Sequence, residues 1–274
     1  DLDEVFIPGW RKKIEENWSE GLTRIRYNYN WKLDKNNNPL INFYIDKIHI
    51  KDGYTWKHPV HEVLSTDNDE KYKTIDEITL NHYPDIKKSR SNYLPLLELS
   101  VKEDSTDDRN MHYLGREYMY YGKWKKCIKT LKKHLNLPKA LWRDERCASM
   151  RFIARSYKNL NNIKEAKKWL KKAILEAPYL RDPLVELGIL EYENNNYKNA
   201  IYYLNEALKI KEHPKTYINE MFSFNETPYD ILSICYFNVG NYNKSLENVK
   251  IARKINKNDK RLRKNEKIIK KYIN

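Results

Sequence analysis

Residues 153–178 read Ile153-Ala-Arg-Ser-Tyr157-Lys-Asn-Leu-Asn161-Asn-Ile-Lys-Glu-Ala166-Lys-Lys-Trp-Leu170-Lys-Lys-Ala173-Ile-Leu-Glu-Ala-Pro178. Small residues recur in this stretch at Ala154, Ala166 and Ala173, with Tyr157 and Leu170 between them. The same spacing appears three more times. Leu114-Gly115, Tyr118, Cys127 and Leu131 precede it. Leu187-Gly188, Ala200, Leu204 and Ala207 come next, and then Leu232-Ser233, Tyr236, Ser245, Val249 and Ala252. Successive units start 39, 34 and 45 residues apart, which is a period of 34 with insertions of 5 and 11. Two antiparallel helices approach closely only where one side carries Gly, Ala or Ser, and large Tyr and Leu side chains fill the gaps beside them. Asn161-Asn162, Asn194-Asn195-Asn196 and Gly240-Asn241 fall where the paired helices must turn.

Four units in register resemble the tetratricopeptide repeat. The resemblance implies an all-α solenoid over residues 106–274, about four repeats and a C-terminal helix, whose groove takes a protein partner. No acid, base or nucleophile cluster in these units is spaced for catalysis, and their Tyr and Leu stripes read as core packing. On their own they are an interaction module.

Upstream of about residue 105 the pattern changes. Ile25, Tyr27, Tyr29, Trp31 and Leu33 alternate with Arg24, Arg26, Asn28, Asn30 and Lys32, which predicts a strand with one buried face. Asp34 to Pro39 is a turn cluster, 40–50 a second β-rich run, and Lys51-Asp-Gly53 another turn. Pro8-Gly9 opens a short helix in which Trp10, Ile14 and Trp18 recur every four residues. Residues 1–100 are therefore mixed α and β, and the 274-residue length agrees with two domains.

The formal charge is +14 and the mean hydropathy is -0.90. No run of apolar residues is long enough to span a membrane. Three scattered cysteines, Cys127, Cys147 and Cys235, exclude a disulfide scaffold and place the chain in a reducing, cytoplasmic compartment. Aromatic residues make up 13% of the chain, which excludes a disordered basic tail. Most of the lysines, as in 123–133 and 164–172, sit between apolar helical positions and solvate a face. Nucleic acid is therefore not the expected partner, although the 257–271 run is densely basic.

The chain begins Asp1-Leu-Asp3-Glu4 without Met, which reads as a cut from a longer protein. In an extended segment Asp1 and Asp3 leave on one face, and two hard oxygen donors there hold Mg²⁺ or Mn²⁺, which in turn grips a diphosphate. Asp-x-Asp also occurs by chance in surface loops. Downstream of it come Pro8-Gly9-Trp10, a hairpin, Trp56-Lys-His-Pro-Val-His61-Glu62, Leu80-Asn-His82-Tyr83, then Lys87, Lys88 and Arg90. In this order the motifs resemble the C-terminal half of a family 2 glycosyltransferase. These enzymes have the GT-A α/β fold, and in the bacterial type the catalytic domain runs into tetratricopeptide repeats.

The resemblance implies metal-dependent, inverting transfer of a sugar from a nucleoside-diphosphate sugar to an acceptor protein or glycan. Asp1 and Asp3 would bind metal and diphosphate, and His61 the metal. Glu62 and Glu4 would be the catalytic acids, and His82 and Trp56 would contact the donor. His49, His58, His112, His134 and His213 read as structural or surface residues. The strands that bind the nucleotide should lie upstream of Asp1, so the chain alone is expected to be inactive. The other reading is a non-catalytic tetratricopeptide-repeat scaffold.

Overall fold

The computed structural model describes residues 3–58, 62–84 and 93–273, and the chain divides into two units. The sheet unit comprises Asp1–Ser105 with Lys215–Asn219, and the helical unit Thr106–Pro214 with Glu220–Asn274.

In the sheet unit the elements run β1 (Glu4–Phe6), α1 (Trp10–Asn17), β2 (Arg24–Leu33), β3 (Pro39–His49), β4 (Thr55–Lys57), β5 (Val63–Ser65), β6 (Tyr72–His82) and α2 (Tyr93–Glu103). Gly9 takes φ 92°, a left-handed conformation that suits Gly, and starts α1. Trp10, Ile14 and Trp18 pack onto Ile25, Tyr27, Ile75 and Ile78, as their spacing predicts. Among the described residues the main sheet has the order β1-β6-β2-β3. It is antiparallel except for the β2–β6 pair, and β4 and β5 form a separate antiparallel pair. Asp34 closes the β2–β3 turn by accepting the amides of Asn36 and Asn38, both at 2.8 Å.

Strand β2 departs from the one-faced expectation. Ile25, Tyr27 and Tyr29 are buried as predicted, but so are Arg24, Asn28 and Asn30 on the other face. Each buried polar group has partners. Arg24 donates to the Asp46 and Leu64 carbonyls and to Glu70, at 2.8, 3.0 and 2.9 Å. Asn30 donates to Asn81 Oδ1 at 2.7 Å and accepts from Asn42 at 2.8 Å. Asn28 donates to the Asp76 carbonyl and accepts from Lys215 Nζ at 3.0 Å, and that ammonium also lies over the Tyr44 ring. A polar period-two face is buried here because hydrogen bonds offset its desolvation.

In the helical unit, the described residues form four helix pairs: α3 (Asp108–Tyr120) with α4 (Trp124–Leu135), α5 (Arg143–Asn159) with α6 (Ile163–Glu176), α7 (Asp182–Glu193) with α8 (Tyr197–Lys209), and α9 (Thr227–Asn238) with α10 (Tyr242–Ile255). A last helix, α11 (Lys260–Lys270), closes the stack. The turn inside every pair carries one left-handed residue at the same repeat position: Gly122, Asn161, Asn195 and Gly240. Gly and Asn are the residues that tolerate this conformation. Asn162 and Asn241 then cap α6 and α10 by accepting the Glu165 and Lys244 amides.

The small-residue rule is visible as distances. A Cβ on Gly115 would lie 2.2 Å from Leu131, and one on Gly188 2.6 Å from Leu204, so these leucines occupy the space a side chain would need. Leu204 packs with Val185, Ala200, Ala207, Leu232 and Cys235. Leu262 and Ile269 of α11 cover Val249 and Ala252 of α10, and the remaining face of α11 is charged. Successive first helices pack on one another, α3 on α5, α5 on α7 and α7 on α9. They are buried on most sides, whereas α6 and α8 bury only a stripe such as Ala166, Trp169, Leu170 and Ala173. No helix of the described residues is long and apolar enough to cross a membrane.

Candidate interaction surface

The first helices pack on one another, and between α5 and α7 an ion network is built. Arg151 of α5 is fully buried and donates Nε to Glu186 Oε1 at 2.5 Å and Nη2 to Glu220 at 3.1 Å. Arg155, one turn on, donates to Glu186 Oε1 and to Glu220 at 2.8 and 2.7 Å. Burial raises the Glu186 carboxyl, but Arg151 and Arg155 outweigh it and hold the group down at about 2. Glu220 arrives from the long insertion between α8 and α9. That segment is pinned at the start of α7, where Asp182 accepts the Glu220 amide at 3.0 Å and Arg181 donates to the Ser223 carbonyl at 3.1 Å. The chain thus places the Glu220 carboxylate on the Arg151–Arg155 pair.

Residues 152–179, which form this part of α5 and all of α6, match the tetratricopeptide repeat family. One helix pair of the helical unit thus matches that family, and the unit as a whole is built of stacked antiparallel helix pairs. Similar solved structures are a crystal structure of MamA (18% identity, 64% of this chain and 96% of that chain, TM-score 0.50), a chain of the APC/C hetero-tetramer Cut9–Hcn1 (15%, 66% and 33%, 0.51) and BtubC from P. vanneervenii (12%, 67% and 81%, 0.50). At these identities the likeness concerns the fold. No curated protein matches the chain.

These findings overturn the sugar-transfer reading. The family match and the structural likenesses are to the repeat fold of the helical unit, and they favour the scaffold reading over sugar transfer. The residues assigned to that activity are placed as follows. Asp1 and His61 lie outside the described residues, as do Lys87, Lys88 and Arg90. Asp3 Oδ2 is 3.5 Å from His82 Nε2. Glu4 sits opposite His82 in the β1–β6 pairing. Its carboxylate accepts the Tyr29 hydroxyl at 2.7 Å, and Lys47 stands 3.8 Å away. Burial, and next that hydrogen bond, push the Tyr29 hydroxyl up. Asp3, Glu4 and His82 are thus brought together at one edge of the main sheet, where they brace β1 against β6 and β2. Trp56 and Glu62 belong to the other sheet: Trp56 is exposed on β4 opposite Leu64, and Glu62 precedes β5.

The cysteines are buried and free, and burial pushes Cys127 up to about 11 and Cys147 and Cys235 up to about 12. At neutral pH they are protonated and inert.

An accessible apolar surface lies where the α4–α5 connection meets the end of α6 and the α6–α7 connection. Leu141 and Leu175 are 78% and 79% exposed, and Trp142 and Tyr179 are 44% and 45% exposed. Arg143 draws the two connections together by donating to the Glu176 carbonyl at 2.7 Å with its guanidinium 5.7 Å from the Tyr179 ring, and Arg146 pairs with the Glu176 carboxylate. The Tyr179 hydroxyl is fixed by Asp144 at 2.6 Å. Large apolar side chains held by a rigid polar frame are the anatomy of an interface centre. The repeat spacing does not reveal this edge, because Leu141, Trp142, Leu175 and Tyr179 are not among the recurring positions.

Proposed function

We propose that this chain is a protein-interaction scaffold in which the repeat array carries a partner on the edge formed by Leu141, Trp142, Leu175 and Tyr179. The reading rests on one observation: repeated helix pairs in register leave two adjoining connections with large apolar side chains facing solvent inside a polar frame. Trp and Tyr are the side chains that most often anchor partners. The lysines exposed on α4 and α6 near this edge favour a partner with an acidic rim. One similar structure, Cut9–Hcn1, is itself a hetero-tetramer, which suits an assembly role.

Site-specific photo-crosslinking tests the reading in the native cell. A crosslinker at position 175 is expected to trap one protein species. A crosslinker at position 202, an exposed site on α8, is expected not to trap it. Equal trapping from both positions removes the assignment.

A further inference from the structure

The first repeat differs from the other three at one core position. Where they carry Ala173, Ala207 and Ala252, the first carries His134. That histidine is fully buried, beside a second fully buried histidine, His112 of α3, and the buried Glu145 of α5. Two imidazoles and a carboxylate in a dry helix junction are costly unless their polar atoms are well compensated. An alanine works at the same place in every other repeat, so packing alone does not call for this cluster.

The three side chains come from three different helices. His134 Nε2 stands 3.3 Å from Glu145 Oε1, and one donor atom from each of the three lies within 4.8 Å of the others. Ser149 Oγ hydrogen-bonds Nδ1 of His112 at 2.7 Å and Nδ1 of His134 at 3.0 Å. A hydrogen-bond partner that fixes ring orientation in this way is what ligating histidines ordinarily have. We propose that His112, His134 and Glu145 form a buried binding site for one divalent transition-metal ion, with zinc the ion that best fits two imidazoles and a carboxylate.

Zinc bonds to nitrogen and oxygen are about 2.0–2.2 Å, which sets tetrahedral donor atoms about 3.4 Å apart. The donor atoms lie within 4.8 Å of one another, so binding would draw them together by about an ångström. Arg109 and Arg116 of α3 act on His112 electrostatically and oppose a cation, while Glu145 acts in its favour. With Ser149 engaged on the Nδ1 atoms, the fourth donor would be a water. The ion would tie α3, α4 and α5 together.

The test uses the whole chain, stripped with chelator and titrated with Zn²⁺ alone, followed by calorimetry and thermal melting. Co²⁺ absorption serves as an independent readout of coordination geometry. The expected result is about one zinc per chain, a raised melting temperature and a tetrahedral cobalt spectrum. His134→Ala installs the residue the other repeats use, so this variant is expected to fold and to lose at least about 100-fold in zinc affinity. Glu145→Gln should weaken binding as well. The proposal is overturned if the unaltered chain takes up no zinc, or if His134→Ala binds zinc as tightly as the unaltered chain.

Discussion

In the helical unit a leucine meets a glycine at a fixed distance along the chain, Leu131 against Gly115 and Leu204 against Gly188. In the sheet unit the decisive contacts have no common separation. Arg24 reaches Asp46, Leu64 and Glu70, and Asn30 lies between Asn42 and Asn81. The first kind of contact recurs in sequence and is stabilised mainly by apolar packing. The second occurs once and depends on every buried polar atom finding its partner. The same chain therefore shows two ways of filling a core, one modular and one specific to a single arrangement.

The Arg151–Glu186–Glu220 ion network tests that contrast most severely, because it puts a contact of the second kind inside the modular unit. Glu186→Ala leaves Arg151 buried beside a lost carboxylate and is expected to cost about 3–5 kcal/mol in urea unfolding. A cost below about 1 kcal/mol would mean that Asp182 and Glu220 suffice for the arginines. The same carboxylate gives a pH signature. Its pKa lies below the ordinary 4.5, at about 2. The stability it contributes is therefore complete above about pH 4.5 and is lost as pH falls towards 2, a slope that Glu186→Gln should remove.

In the sheet unit, Asn30→Ala strips partners from Asn81 and Asn42 and should cost about 1–3 kcal/mol by the same measurement, although it removes little apolar area. A neutral effect would place the polar face of β2 in contact with water and weaken the comparison. The smallest effect is expected in the modular unit. Asn241→Ala deletes a cap that satisfies one amide, for about 1 kcal/mol. The equivalent change at Asn162 should give the same value within error, since the two positions are one feature repeated.

These differences also explain what was legible in the sequence. The helix pairs, their left-handed turn residues and the close Gly–Leu approaches follow from spacing alone, because each is decided within some forty residues. The strand 24–33 was legible as a strand, but its second buried face was not, since the partners of Arg24 and Asn28 lie 22 to 187 residues away. The Arg151–Glu186–Glu220 network was missed for the same reason, Glu220 entering from a non-repeated insertion. The His112–His134–Glu145 cluster did leave a signal: a histidine at a position where three sister repeats have alanine. Asp3 and Glu4 had surroundings that the short motif does not display: in the fold Asp3 stands beside His82, and Glu4 beside Tyr29 and Lys47, partners that lie 25 to 79 residues away.

The central claim is that the exposed edge of the repeat array carries a partner. Quantitative affinity purification of the full chain from its native cell, beside the double variant Leu141→Ser/Leu175→Ser, tests it most directly. Both side chains are more than three-quarters exposed, so the variant should melt like the unaltered chain. The account predicts a partner in stoichiometric amount with the unaltered chain and its loss, at least about tenfold, from the variant. Recovery of the same partner at the same level from both would contradict it.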